Sequence, residues 1–239
     1  MADRAFSSYT LTHGRVAECD RNFPSYLSAW NDGKLELAPG DTHYGYVQEG
    51  SIILHIGRHV FPVFEGQAFC APGSALVDGE KSKGIVVSRE NWLGVPIIYG
   101  PVEWEGRLKY IDGCTDSLLI PPPKLGDPCL NLLYFPPGID QTRHTHPSDR
   151  IGIVMSGRGR CHYWDDGQTE QTIDLTAGMI WRIHAEGHHK FSTPYGEDMR
   201  VLAFHPDSDF GPTDEFHPML NRTIVDGVSA RFIDEIRTK

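Results

Sequence analysis

The stretch Gly138-Ile139-Asp140-Gln141-Thr142-Arg143-His144-Thr145-His146-Pro147-Ser148-Asp149-Arg150, followed at a distance by Gly157, Gly178 and His189, decides how this chain is read. Side chains alternate along a strand, so His144 and His146 on an extended segment face the same way. A third imidazole, His189, arriving from a neighbouring strand completes a set of three donors around one point. Imidazole suits zinc, iron, copper and nickel, and manganese less selectively, so the residue types point to a transition metal rather than to calcium or magnesium. An isolated His-x-His is usually two surface histidines. Here Gly157 and Gly178 mark tight turns at the places where a small β-barrel needs them.

The frame Gly138-x5-His144-x-His146-x3-Arg150-x6-Gly157 resembles the first motif of the cupin superfamily at every position except the carboxylate, where Arg150 stands. Gly178-x5-His184-x-Glu186-x2-His189-x3-Thr193 resembles the second motif, keeping its Gly and its His. The resemblance implies His144, His146 and His189 as ligands of one divalent transition metal ion. Arginine has no lone pair to donate, so the fourth family ligand is missing and a three-histidine site is expected. Asp149, one residue from Arg150, should face the other way.

The frame recurs earlier in a degraded form. His43-x6-Gly50 and Gly66-x5-Pro72 match Arg150-x6-Gly157 and Gly178-x5-His184, with Tyr46-Val47 standing where Ile153-Val154 stands later. Leu37, Pro39 and Val77 occupy the positions equivalent to the three histidines, so this copy should pack rather than bind metal. Such a repeat resembles a bicupin: residues 1–110 as a degenerate barrel and residues 111–239 as a metal-binding one. The expected fold class is all-β, two tandem jelly-roll barrels with a short C-terminal helix. Short runs rich in Val, Ile, Leu, Phe and Tyr between prolines and glycines agree, among them Ser51 to Ile56, Val95 to Tyr99, Leu130 to Phe135 and Val201 to Phe204. Gly113 to Gly126, with Pro121-Pro122-Pro123, is the expected break, and the linker is placed near residues 105–125. Val228, Phe232 and Ile236, at spacing four, suggest an amphipathic helix over Asp226 to Lys239 that covers a barrel face or a dimer edge.

With 39% hydrophobic and 23% charged residues the 239-residue chain has the composition of a globular protein. Its net charge is −10 and it has no basic cluster, which argues against nucleic acid. Neither an apolar leader nor a long apolar run is evident, so the expectation is a cytoplasmic protein, off the membrane, forming a homodimer. Five cysteines without Cys-x-x-Cys spacing read as buried thiols.

Arg150 shares the parity of His144 and His146 and should lean into the barrel. There it needs either a protein carboxylate, with Asp165, Asp166 and Glu186 as candidates, or an anionic substrate, for which its planar fork is suited. His184 and His205 are candidates for proton transfer or for supporting the ligands. The acidic, Pro- and Gly-punctuated stretch His205 to Asp214 reads as a loop over the barrel mouth. Three neutral histidines leave open coordination positions. The resemblance therefore implies a metal enzyme acting on a small carboxylate-bearing molecule, first an iron(II) dioxygenase. The alternatives are a redox-neutral Lewis-acid enzyme using Zn2+, Ni2+ or Mn2+, and a non-catalytic ligand-binding barrel.

Overall fold

A computed structural model describes residues 4–215 and 217–238. The chain forms antiparallel sheets almost throughout. In the first repeat one sheet runs in the order Ile97–Tyr99, Ala68–Pro72, Thr42–Glu49, Lys83–Arg89, Ser25–Asn31, Gly14–Cys19. The second has the order Lys34–Leu37, Ala75–Asp78, Ser51–Ile56, His59–Phe64. Leu35, Leu37, Ile52, Leu54, Val63 and Val77 point inward from this smaller sheet and meet Trp30, Val47, Phe69 and Val86 of the larger one. The ring of Phe69 fills the space over Gly45, where a Cβ would lie 2.1 Å from it. Leu37 and Val77 thus serve as packing, and Pro39 is exposed.

The second repeat is built the same way around a longer strand. Its sheet runs Phe6–Tyr9, Ile180–Ile183, Arg150–Trp164, Met199–His205, Cys129–Phe135, Thr115–Ile120, Leu108–Lys109. The first half of Arg150–Trp164 pairs with Ile180–Ile183 and Met199–His205, and the second half pairs with Gln171–Thr176 and His188–Ser192. One strand therefore serves both faces of the barrel. At its turning point Gly157 has φ 74° and sits so close to Asp198 that a Cβ would lie 2.1 Å from the carbonyl oxygen, which leaves glycine as the residue that fits.

The internal repeat is visible in the backbone bonds. Gly66 N–H donates to Val47 O at 3.0 Å, and Gly178 N–H donates to Val154 O at 2.8 Å, the pairing that the sequence frame aligns. The second barrel also receives an edge strand from outside its repeat, Phe6–Tyr9 pairing with Ile180–Ile183, whereas the first takes its edge strand Ile97–Tyr99, paired with Ala68–Pro72, from its own repeat. The barrels share one apolar core in which Leu27, Tyr44 and Ile85 meet Leu130, Ile151 and Phe204, with the Tyr44 and Phe204 rings 5.0 Å apart.

Two expectations are corrected. The stretch 105–125 is not a bare linker: it contains Leu108–Lys109 and Thr115–Ile120, because Ser117, Leu119 and Ile120 bury their side chains. The α-helix among the described residues is Pro218–Arg222, and from Ile224 onward the chain forms a hairpin, Ile224–Val225 against Val228–Ser229, then two 3-10 turns. Asp226 and Gly227, at φ 50° and 84°, make the tight two-residue turn for which Asp-Gly is favoured, and this local chemistry overrides the spacing-four pattern. Among the described residues no helix is long and apolar enough to cross a membrane.

Candidate metal centre

His144, His146 and His189 converge at one end of the second barrel, with ligand atoms within 4.8 Å of one another and ring centroids 4.4 to 5.1 Å apart. The segment carrying His144 and His146 is extended but is not a regular strand. His144 makes a single bridge to His189, its N–H and carbonyl bonding at 2.9 and 3.0 Å. Pro147, which lacks an N–H, then interrupts pairing until Arg150.

Two rings are fixed by the backbone. His144 Nδ1 lies 2.8 Å from Thr142 O and His189 Nδ1 lies 2.9 Å from Gly187 O. Each carbonyl accepts a hydrogen bond from Nδ1–H, which places the lone pair on Nε2, as in metal-ligating histidines whose other nitrogen is anchored. Burial, together with Arg150 and the two neighbouring imidazoles, pushes His146 down to about 2, and burial and His144 lower His189 to about 3. Both rings are therefore neutral at pH 7. The donor set fits a transition metal ion, for which three neutral imidazole nitrogens on one side of a cavity are suitable ligands.

The histidines open on a narrow cavity of about 60 Å³. Leu133, Trp181, Ile183, Phe191, Val201 and Ala203 form its apolar wall, and Tyr110, Asp116, Gln141, Arg150 and His205 its polar part. Arg150 enters as expected, but none of the three candidate carboxylates reaches it. Asp165 accepts from Ala5 N–H, Asp166 from Gln168 and Thr169, and Glu186 from Thr145. Instead Arg150 Nη1 donates to Ser148 O (3.1 Å), Ser148 Oγ (2.6 Å) and Asp149 O (3.0 Å). Asp207 stands 4.0 Å away and is itself bonded to Ser148 Oγ. Arg150 Nε and Trp181 Nε1 are buried without hydrogen-bond partners among the described residues.

Asp149 faces away from the histidines and binds Arg182 at 2.6 Å. His205 lines the cavity with no hydrogen bond to its ring among the described residues, and burial and Arg150 hold it well below its ordinary value. His184 stands apart: its ring lies 2.8 Å from Ser7 Oγ, against the N-terminal edge strand, and it does not line the cavity. Asp116 escaped the sequence reading. Burial raises its carboxyl while Asn131 Nδ2, at 2.9 Å, opposes that rise. A lone carboxylate sharing parity with Leu118 and Ile120 was the available signal, hidden by reading the segment as linker.

The family comparison agrees with this geometry. The Cupin_2 model, a cupin domain, matches residues 131–205. No curated protein matches the sequence. Among solved structures the chain resembles an IolB-like protein from Salmonella typhimurium LT2, with TM-score 0.62, 14% identity, and 84% of this chain and 92% of that one covered. It also resembles a cupin 2 conserved barrel domain protein from Leptotrichia buccalis, at 0.56 and 16%, covering 85% and 90%. The oxalate decarboxylase of Bacillus subtilis, a protein with Mn(II) centres, matches at 0.56 and 11%, covering 90% and 81%. The chain thus carries a cupin-domain match over residues 131–205, in the second of two repeats, on a fold that it shares with these cupin structures.

Proposed function

We propose that the chain is a metal-dependent enzyme that acts on a small carboxylate-bearing molecule at the His144–His146–His189 centre. The carrying observation is that three neutral-type ligands, two of them pinned through Nδ1, face a cavity holding a buried arginine and no carboxylate within the ligand cluster. When bound, the ion supplies Lewis acidity, and iron(II) adds redox chemistry at the positions that three ligands leave open. Iron(II) dioxygenation is the reading favoured by the three-histidine donor set.

The chain's own groups account for binding and proton movement. Arg150, held through Nη1, offers its remaining N–H groups to a substrate carboxylate. Trp181, Phe191 and Val201 keep water from the reacting end. Neutral His205 has a lone pair with which to accept a proton, and the Asp116 carboxyl, its proton affinity raised by burial, can hold one. The division into residues 1–110 and 111–239 belongs to the same reading, with the first barrel packing against the catalytic one. A second reading, Lewis-acid chemistry with Mn2+, Zn2+ or Ni2+, draws support from the Mn(II) centres of the oxalate decarboxylase of similar fold.

Metal analysis of protein purified without chelator, combined with oxygen uptake on carboxylate substrates, tests the proposal. Iron with uptake is the expected result. Manganese or zinc without uptake selects the Lewis-acid reading, and a protein that takes up no metal ends both.

A further inference from the structure

Asp116, Arg150 and His205 each line two hollows. One side faces the histidine cavity, and the other faces an outer chamber of about 450 Å³. Leu108, Leu118, Pro122 and Phe210 give the chamber an apolar wall. Leu108 and Phe210 remain 57% and 62% exposed, so large apolar groups border a hollow that no part of the described chain fills. Apolar surface gathered around a concavity is what a ligand with an apolar part covers.

The wall common to both hollows is where the polar groups stand. Arg150 is anchored at Nη1 while its Nε is buried with no hydrogen-bond partner among the described residues, and the His205 ring stands beside it in the same wall. Resting on the function proposed above, the geometry points to a substrate that branches at this wall: an acid bearing an oxygen donor and an apolar side chain on the carbon next to its carboxylate. The carboxylate bonds the Arg150 guanidinium. The oxygen donor turns to the three histidines, and the apolar side chain lies in the outer chamber. A tetrahedral carbon sends its substituents in three directions, and three environments of matching chemistry meet around Arg150. Burial of the side chain against Leu108 and Phe210 adds affinity in proportion to the apolar area covered.

Calorimetric titration of the metal-loaded protein with phenyllactate, lactate and phenylacetate tests this. Phenyllactate should bind at least tenfold more tightly than lactate, which lacks the side chain, and than phenylacetate, which lacks the oxygen donor. Leu108→Ala combined with Phe210→Ala, both at exposed positions that the fold tolerates, should abolish the advantage over lactate while leaving lactate affinity unchanged. Equal binding of lactate and phenyllactate, an advantage that survives in the double variant, or no binding of either acid overturns the inference. His189→Ala separates it from the metal reading. A side-chain advantage that persists in that metal-free variant upholds the chamber and removes the ion from binding, whereas full metal loading without any side-chain preference rejects the chamber alone.

Discussion

Asp20 and Asp149 exchange backbone hydrogen bonds: Asp20 N–H donates to Asp149 Oδ2 at 3.0 Å, and Asp149 N–H donates to Asp20 Oδ2 at 2.9 Å. Both residues are buried, and the reciprocal pair fastens the end of Gly14–Cys19 to the start of Arg150–Trp164. Asp149 also accepts from Ala185 N–H at 2.9 Å and binds Arg182 at 2.6 Å. It therefore braces the turn that leads to Gly187, whose carbonyl orients His189.

Asp149→Ala leaves the Arg182 guanidinium, 14% exposed, without its carboxylate. Stranding one partner of a buried pair costs about 3–5 kcal/mol. Thermal or urea unfolding reads this directly. Removing both partners in Asp149→Ala/Arg182→Met should recover the part of the loss due to the uncompensated charge but not the part due to the Asp20 and Ala185 N–H groups, which still lack their acceptor. A single-variant loss below about 1 kcal/mol would show that the pair does not brace the fold.

The three histidines were legible because strand parity and glycine spacing are local rules, and the repeat was legible because Gly50 and Gly157 meet the same steric demand in each barrel: a Cβ would strike Lys81 O in one and Asp198 O in the other. Long-range relations were not legible. Nothing in the sequence announces that Phe6–Tyr9 pairs with Ile180–Ile183, or that His184 is claimed by Ser7 as a result. Asp116 was missed for the same reason: its place in the cavity depends on Thr115–Ile120 pairing with Cys129–Phe135. Asp226-Gly227, by contrast, was a readable turn signal that lost to a misleading periodicity.

Substituting any one of His144, His146 and His189 by alanine should lower metal content sharply while the protein still folds, because the shared core lies apart from the ligands. Elemental analysis should give about one metal per chain for the parent protein. Leu37, Pro39 and Val77 offer no donor atoms in the first barrel, so a ratio near two would overturn the assignment of a single site.

His43 stands where the second barrel has Arg150 and is fully buried, its Nδ1 2.7 Å from Ser88 Oγ and its Nε2 near the carbonyls of Ala38 (3.0 Å) and Gly73 (3.1 Å). Burial lowers its pKa below 6.5. As pH falls through 6.5 the unfolded chain takes up the proton while the folded imidazole does not, so stability is retained above that value and declines below it. The slope approaches about 1.4 kcal/mol per pH unit for one proton. In His43→Gln the stability-against-pH curve should flatten by up to one proton between pH 6.5 and 5. Parallel curves for the two proteins would mean that His43 protonates in the folded state.

Glu186 adopts φ 58°, in the left-handed region. A left-handed conformation is unfavourable for any residue with a Cβ, and the side chain gains only a long contact, 3.4 Å, from Thr145 Oγ1. Glu186→Gly relieves the backbone but loosens the unfolded chain, and the difference should favour the variant by about 0.5–1 kcal/mol. A decrease in melting temperature would mean that the Thr145 contact outweighs the strain.

Arg150 separates folding from binding more sharply than any other residue in the cavity. Its Nη1 bonds go to Ser148 and to the Asp149 carbonyl, and Asp207 keeps its own bond to Ser148 when the guanidinium is gone. Arg150→Ala therefore strands no carboxylate outright and should cost only about 1–2 kcal/mol of stability, below the loss expected for a true buried pair. Binding should respond differently. Arg150→Lys keeps the charge and loses the planar fork, so on a carboxylate substrate KM should rise about tenfold or more, with metal content nearly unchanged. A loss of 3–5 kcal/mol in Arg150→Ala, with unaltered kinetics in the enzyme that still folds, would make Arg150 a structural residue and end its role in holding the substrate.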